Sequence, residues 1–231
     1  MIFTDSSYMK NTLIMRERDA HKGCFGKILV YAGSPGMAGA AILNARAALK
    51  SGAGLVQFLL PDFESPLLNI FQISVPEATC KDYSAGMDYS GCDAITAGSG
   101  LGTSLRSRRI LSEIICSYSG ILILDADALN MAAADKDLSS AIRSSPAEII
   151  ITPHIGEAKR LLHTNEAISD EQSRIDAALK LSDMYNCIAV LKGAGTLVAA
   201  AEKYEPSFIS RYLIDLAQSF SRFYNEYHII C

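Results

Sequence analysis

Short apolar segments alternate with segments of helical pattern along most of the chain, and this alternation strongly constrains the fold. The apolar segments are rich in β-branched residues and are apolar at successive positions, which is typical of strands covered on both faces. The six candidate strands are KILVYAG (27–33), LVQFLLP (55–61), CDAITAG (92–98), GILILD (120–125), EIIITP (148–153) and CIAVLKG (187–193). LVAAA (197–201) is predicted to add a further strand through a hairpin.

The segments between these strands predict helices. Thr103 is a candidate N-cap, and Ser-Asp-Glu at 169–171 favours a helix start. The predicted helices cover 37–51, 103–118, 155–163 and 169–185. Strands and helices in alternation predict an α/β fold, in which a mostly parallel sheet carries helices on both faces. Ligands of such sheets bind at the carboxyl ends of the strands.

Composition and charge exclude several classes of protein. The 231 residues carry 21 Lys and Arg against 25 Asp and Glu, so there is no basic excess and we expect no nucleic acid as a partner. No run of about 18 apolar residues occurs, so we expect no membrane partner either. The first twenty residues contain no apolar stretch of the secretory type. We therefore expect a cytoplasmic globular protein.

The six cysteines fit the same compartment. They lie at 24, 80, 92, 116, 187 and 231, and no two of them form a CxxC pair. No cysteine lies next to a histidine at the spacing of a zinc site. Most lie in apolar runs, as Cys187 does, and we expect small buried side chains in a reducing compartment.

Two glycine-rich loops follow predicted strands and precede predicted helices: GSPGMAGA (33–40) and GSGLGT (98–103). Glycines let backbone amides approach an anion closely, and a helix start adds positive potential. Neither loop is the GxGxxG fingerprint or a Walker loop. Each is either an anion or dinucleotide cradle or an ordinary tight turn, but two such loops in one sheet favour an extended phosphate-bearing ligand.

Polar side chains follow the next two strands. Asp125 and Asp127 of DADALN either hold Mg²⁺, directly or through water, or close a turn and cap the next helix. His154 and Glu157 of PHIGE lie three residues apart at a helix start, so both side chains are able to face the cleft. The position of His154 at a strand end favours contact with a ligand over a purely structural role.

The loop after the sixth strand combines a cation, exposed amides and a hydroxyl in Lys192, Gly193, Ala194, Gly195 and Thr196. These groups are well suited to bind phosphates. The alternative is an ordinary glycine turn.

The order and spacing of these segments resemble the ADP- or ATP-dependent NAD(P)H-hydrate dehydratases of the ribokinase-like superfamily. The segments are HKGCFGKILVYAGSPGMAGAAILNARAALKSGAGLV, GSGLGT, DADALN, ITPHIGEAKRLL and VLKGAGTLVA, and the similarity covers about residues 15–200. The resemblance implies a ribokinase-like fold and the repair of hydrated NADH and NADPH. In that reaction a nucleotide phosphorylates the hydroxyl of the ring, and phosphate is then eliminated.

The resemblance also implies roles for particular residues. Those expected to contact the hydrated dinucleotide are Ala40, Gly100, Gly102 and His154. Those expected to contact the adenine nucleotide, ADP or ATP, are Lys192, Gly193, Ala194, Gly195 and Thr196. Those expected near Mg²⁺ and the phosphates are Asp125, Asp127, Asn130 and Glu157. The family further implies a homo-oligomer, a tetramer.

The sequence departs from the family after Ala201. The family continues with a segment of the form GNxGMAxGGSGD, whose Asp is the expected base and whose amides form an anion hole. Here the chain continues as EKYEPSFISRYLIDLAQSFSRFYNEYHIIC, which resembles a C-terminal fragment of arginyl-tRNA synthetases over about 204–230. We therefore expect a dehydratase-like domain over 1–201, incomplete at its C-terminus, and a helical tail of foreign appearance over 202–231.

The tail predicts an amphipathic helix in its own right. Pro206 suits a first helical turn. One apolar stripe is formed by Ile209, Tyr212, Leu213, Leu216, Phe220 and Phe223. This stripe has to be buried against the sheet or against another subunit.

Two other functions remain open at this point. One is a ribokinase-like kinase of a small alcohol, which shares the fold, although the glycine loops and KGAGT favour the dehydratase. The other is a non-catalytic nucleotide-binding protein, which the missing GSGD favours. Turnover of hydrated NADH with ADP or ATP separates the three.

Overall fold

A computed structural model describes residues 19–61, 64–193 and 195–201 of the chain. The predicted helical tail, and with it the proposed boundary at residue 201, falls outside the described residues, as does position 194 of the KGAGT loop. All six predicted strands occur, at shorter lengths than their apolar segments.

The described residues form one sheet of eight strands in the order β3-β2-β1-β4-β5-β6-β7-β8. The strands are β1 (Lys27–Tyr31), β2 (Leu55–Leu60), β3 (Thr79–Asp82), β4 (Ala94–Ala97), β5 (Ile121–Leu124), β6 (Glu148–Ile151), β7 (Ile188–Leu191) and β8 (Leu197–Ala200). All neighbours pair in parallel except β7 and β8, which form the predicted hairpin. The mostly parallel sheet predicted from the alternation is confirmed.

Within the described ranges, seven α-helices connect the strands. They are α1 (Ala38–Lys50), α2 (Leu67–Ser74), α3 (Leu105–Ser117), α4 (Asp127–Ala134), α5 (Lys136–Arg143), α6 (Ile155–Leu161) and α7 (Glu171–Tyr185). The predicted N-cap Thr103 is wrong by one residue, because the Ser104 hydroxyl accepts the amide hydrogen of Ser107. None of the described helices has the length and apolar character needed to cross a membrane.

The helices lie on both faces of the sheet, as the alternation predicted. One face packs against α3 to α7 through a large cluster of buried residues that includes Leu122, Leu124 and Leu181. The β1–β2 part of the opposite face packs against α1 and α2, where the Phe58 and Phe71 rings stack with centroids 4.2 Å apart. The two faces therefore hold separate cores, which is the arrangement expected for parallel strands.

The cysteine prediction is confirmed only in part. Cys187 is buried, and Cys80 and Cys92 are half-buried, where burial raises the pKa of both thiols. Cys24 and Cys116 are exposed, against the expectation of buried side chains. Cys24 precedes β1 in a short 3-10 helix (Lys22–Phe25), and Cys116 lies on α3, so neither belongs to an apolar strand. None of these five described cysteines forms a disulfide.

Candidate functional site

The chain changes direction in the sheet between β1 and β4. From β1 it continues through α1 to β2 on one side, whereas β4 lies on the other side of β1 and leads to β5 and β6. At such a switch point the loops after the two central strands diverge and leave a crevice at the carboxyl ends. The two glycine-rich loops follow these two strands, so the fold places both of them at this crevice.

The two glycine-rich loops contact each other directly. The Gly33 amide donates to the Ser99 carbonyl oxygen over 2.9 Å, and the Ser34 hydroxyl donates to the Gly100 carbonyl oxygen, also over 2.9 Å. Ser34 has no place in the sequence predictions, and its position directly after Gly33 was the available signal. The hydrogen bonds make the two loops one unit at the rim of the sheet.

Gly100 is a glycine for reasons of packing. Its φ is 62°, and a Cβ on it would lie 2.8 Å from the Ala40 Cβ and 3.1 Å from the Met37 carbonyl oxygen. The loop can therefore approach the first turn of α1 only without a side chain. The structure brings Ala40 and Gly100 together, and their contact with a dinucleotide stays a prediction.

Asp127 links the second glycine loop to α4. Its Oδ2 accepts the Gly102 amide over 2.8 Å, and the Asn130 Nδ2 lies 3.4 Å from its Oδ1. Of the two alternatives for Asp127, the helix cap does not occur, because α4 begins at Asp127 itself and its N-cap, Ala126, makes no side-chain cap. The Arg160 Nε donates to the Asn130 Oδ1 over 3.0 Å, which extends the network to α6.

Ala126 holds a backbone conformation that only glycine adopts freely. Its φ is 48° and its ψ is −113°, between the carboxylates of Asp125 and Asp127. Such conformations cost about 1–3 kcal/mol and cluster at functional sites. The sharp turn directs the chain from β5 straight into α4, so that both carboxylates stay at the rim.

Asp125 and Lys192 form an ion pair across the rim. The Lys192 Nζ donates to the Asp125 Oδ1 over 2.6 Å, and the two side chains are 41% and 21% exposed. The Lys192 amide also donates to the Pro153 carbonyl oxygen over 2.8 Å. The loops after β5, β6 and β7 are thus connected. Asp125, predicted near Mg²⁺ and the phosphates, and Lys192, predicted to bind the adenine nucleotide, are in direct contact.

His154 caps α6, and Glu157 completes a capping box. The His154 Nδ1 accepts the Gly156 amide over 2.9 Å, and the Glu157 Oε2 accepts the His154 amide over 2.9 Å. The Glu157 side chain is buried at this helix start, whereas the imidazole is 54% exposed. The His154 Nε2 also lies 3.4 Å from the Glu157 Oε1, so both ring nitrogens have partners and a ligand would meet the exposed part of the ring. Glu157 serves first to hold the start of α6.

The KGAGT loop joins β7 to β8 and lies open to water. Gly193, Gly195 and Thr196 are exposed, and the Thr196 hydroxyl lies 3.4 Å from the Gly193 carbonyl oxygen. The guanidinium of Arg174, on α7, contacts the Gly195 carbonyl oxygen. Arg174 was not predicted as a site residue, because it lies 21 residues before Gly195 and no local pattern indicates it.

The described carboxylates do not form a metal site of their own. Within residues 19–61, 64–193 and 195–201, no three His, Cys, Asp or Glu side chains converge as metal ligands would. Mg²⁺ in phosphoryl-transfer sites is usually held by one or two carboxylates together with substrate phosphates. The donor set at this rim, with Asp125 beside the KGAGT loop, fits that second arrangement.

Comparisons with known proteins identify the family. The model of the NAD(P)H-hydrate dehydratase family matches residues 28–207. The ADP-dependent (S)-NAD(P)H-hydrate dehydratase of Neisseria meningitidis is 34% identical over 189 residues, which is 81% of this chain and 62% of that protein. The bifunctional NAD(P)H-hydrate repair enzyme Nnr of Moorella thermoacetica is 32% identical over 205 residues, 84% of this chain and 38% of that enzyme.

A solved structure of a related protein has the same fold. The ADP/ATP-dependent NAD(P)H-hydrate dehydratase of Bacillus subtilis, co-crystallised with ATP and Mg²⁺, is 27% identical with a TM-score of 0.67. The match covers 84% of this chain and 67% of that one, and the ribokinase-like fold predicted above is confirmed. The chain spans well under two thirds of the length of the Nnr enzyme. By the extent of the family match, the chain belongs to the NAD(P)H-hydrate dehydratase family.

Proposed function

We propose that this chain binds hydrated NADH or NADPH together with ADP or ATP, and that its site is built for nucleotide-dependent dehydration of the hydrated ring. The observation that carries the proposal is the meeting of the family-matched loops at one rim of the sheet. The GMAGA and GSGLG loops join at the switch point, and Asp125 and Lys192 pair next to the KGAGT loop. Family membership supports the choice of substrate.

The nucleotide end of the proposed site is the KGAGT loop. Lys192 supplies a cation, and the exposed Gly193 and Gly195 offer a backbone that phosphates can approach. Asp125 holds the Lys192 ammonium at the rim, so that a phosphate arriving there meets an oriented charge. Asp125 would also contact a Mg²⁺ carried by the nucleotide, which screens charge on the transferred phosphoryl group.

The dinucleotide end is the pair of glycine loops with the start of α6. Ala40 and Gly100 form a close-packed wall with no long side chain, which leaves room for a flat ring or a pyrophosphate. The exposed imidazole of His154 borders the same rim. Asp127 fixes Gly102 by accepting its amide, so Gly102 itself acts by shaping the loop.

Assembly and location complete the proposal. We propose a homo-oligomer, a tetramer as the family resemblance implies, working in the cytoplasm.

We expect Lys192→Ala to weaken binding of ADP and ATP. A charge-assisted hydrogen bond contributes about 1.5–3 kcal/mol, so the dissociation constant should rise about 10- to 100-fold. Isothermal calorimetry with Mg²⁺ present measures the change. Lys180→Ala is the matched control, because Lys180 is an exposed lysine within α7. Equal affinities for both variants and the parent chain would contradict the role of Lys192.

His154 allows the ligand role and the cap role to be separated. Asn is a good N-cap residue, so His154→Asn should keep α6 stable and still weaken binding of NADPH or its hydrate. His154→Ala should weaken binding and also lower the melting temperature. Ala40→Tyr should also weaken binding, because the tyrosine ring would occupy the space in front of the wall formed by Ala40 and Gly100. The proposed contact is wrong if His154→Asn and Ala40→Tyr both bind the dinucleotide as the parent chain does.

A further inference from the structure

The side chain of Arg174 bridges α7 and the KGAGT loop. Its Nη2 donates to the Gly195 carbonyl oxygen. A Cβ on Gly193 would lie 2.5 Å from the same Nη2 and 3.2 Å from the Arg174 Cζ, so the guanidinium also lies against the start of the loop. One side chain from a helix therefore contacts both glycines of this loop.

The helix that carries Arg174 is packed into the core. Ala177 and Leu181 of α7 belong to the same buried cluster as Leu191 of β7. Arg174 lies one helical turn before Ala177, whereas Gly195 lies in a loop that is exposed to water. The hydrogen bond to Gly195 therefore anchors an exposed loop to a packed part of the fold.

Arg174 also brings a positive charge to the loop. The Lys192 ammonium is paired with the Asp125 Oδ1 over 2.6 Å, so much of its charge is offset before a phosphate arrives. In the part of the chain that the structure describes, no carboxylate forms an ion pair with the Arg174 guanidinium. Its charge is therefore available to an anion that binds at the loop.

The guanidinium of Arg174 has hydrogen-bond donors to spare. An arginine side chain carries five N–H groups, in a planar arrangement that suits phosphate oxygens. The Gly195 carbonyl oxygen accepts from one nitrogen, and the buried Nε has no partner among the described residues. A buried donor without an acceptor costs free energy, so an arriving acceptor would stabilise this side chain.

We infer that Arg174 is a positioning residue for the phosphates of the adenine nucleotide. It anchors the KGAGT loop through Gly195 and supplies positive charge beside it. This inference rests on the proposed function, because it assigns Arg174 to the phosphate end of the same site. Both the hydrogen bond and the charge are required, and the charge is what distinguishes this role from a purely structural one.

Two variants at position 174 separate the charge from the hydrogen bond. Arg174→Gln keeps a side-chain amide that can donate to Gly195 but removes the charge, whereas Arg174→Lys keeps the charge. In Arg174→Gln the dissociation constant of ADP with Mg²⁺ should rise about 10- to 100-fold, as expected for loss of a charge-assisted contact. It should also depend less on salt, because salt screens the lost charge in the parent chain.

Arg174→Lys should bind ADP more tightly than Arg174→Gln does. The matched control is Lys180→Gln, which removes the same charge from an exposed position of α7 and should bind as the parent chain does. Isothermal calorimetry at two salt concentrations measures all four proteins, and urea unfolding shows whether each variant is folded.

The outcomes distinguish this inference from the proposed function. Weaker ADP binding in Arg174→Gln, with partial rescue in Arg174→Lys and none of the loss in Lys180→Gln, supports the inference. Equal affinities of Arg174→Gln and the parent chain overturn it and leave the proposed function intact. Equal losses in Arg174→Gln and Arg174→Lys also overturn it, because the charge would then play no part.

Two further outcomes are decisive. If the parent chain binds no ADP, inorganic triphosphate replaces it as the probe. Triphosphate binding that Arg174→Gln loses would support the inference while the proposed function fails, and no binding of either probe by the parent chain would overturn both. If Arg174→Gln does not fold while Lys180→Gln does, the inference is overturned, because Arg174 would then serve the fold rather than the ligand.

Discussion

The 231-residue chain is expected to dehydrate hydrated NADPH at least about 100-fold more slowly than a family member that carries the GNxGMAxGGSGD segment. A general base on the reacting hydroxyl contributes about 10²–10⁴-fold. Anion-hole amides contribute about 10²–10³-fold, although the two losses need not add. The sequence after Ala201 contains neither element.

The described carboxylates at the rim are poorly placed to replace that base. Asp125 is held by Lys192, Asp127 accepts the Gly102 amide, and Glu157 is buried in the capping box of α6. Each of them is committed to a contact that fixes a loop. Turnover through any of them would require breaking that contact first.

The measurement is the rate at which hydrated NADPH disappears in single-turnover reactions with ADP or ATP. The Bacillus subtilis enzyme, assayed under the same conditions, is the reference. The decisive variant replaces the tail after Ala200 with a GNxGMAxGGSGD segment and its helix, and it should recover activity. The same variant with Asn in place of the new Asp is the matched control and should stay slow. A rate of about 1 s⁻¹ or faster for the unaltered chain would refute the role of the missing Asp. Resequencing codons 195–210 tests whether the junction is present in the gene.

Gly98→Ala is expected to be among the most damaging single-methyl changes in this fold. Gly98 has a φ of 118°, and a Cβ there would overlap the Asp125 carbonyl oxygen and come within 2.8 Å of the Ala128 amide nitrogen. Both neighbours are backbone, so neither can rotate away. Overpacking and the backbone conformation together should cost about 2–5 kcal/mol of unfolding free energy.

A graded series of glycine variants controls for this result. Gly102 has a φ of 73° but its Cβ would lie 3.7 Å from the nearest atom, so Gly102→Ala should cost about 1–2 kcal/mol of backbone strain alone. Gly39 lies in α1 with open space around it, and Gly39→Ala should stabilise the protein by about 0.5–1 kcal/mol. Urea unfolding followed by circular dichroism ranks the three. Equal urea midpoints for Gly98→Ala and Gly102→Ala would contradict the predicted overlap between a Cβ at position 98 and the Asp125 carbonyl oxygen.

The local pattern of the sequence predicted the strongly apolar elements and missed the weak ones. The buried strands have mostly apolar runs rich in β-branched residues, as expected for a parallel sheet that is covered on both faces. β3, with the sequence TCKD, lies at the sheet edge and carries no such run. α2 and α5 were also missed, although Pro66 directly before α2 and Asp135, the N-cap of α5, were available signals for a helix start.

The sequence by itself determined the α/β class, the family and the order of the loops along the chain, because hydrophobic periodicity and motif spacing are properties of neighbouring residues. Only the tertiary structure decided which side chains meet. Lys192 reaches Asp125 across 67 residues, and Gly102 donates to Asp127 across 25. Those pairs depend on β4, β5, β6 and β7 lying side by side, and strand order is fixed by packing of the whole sheet rather than by any local segment.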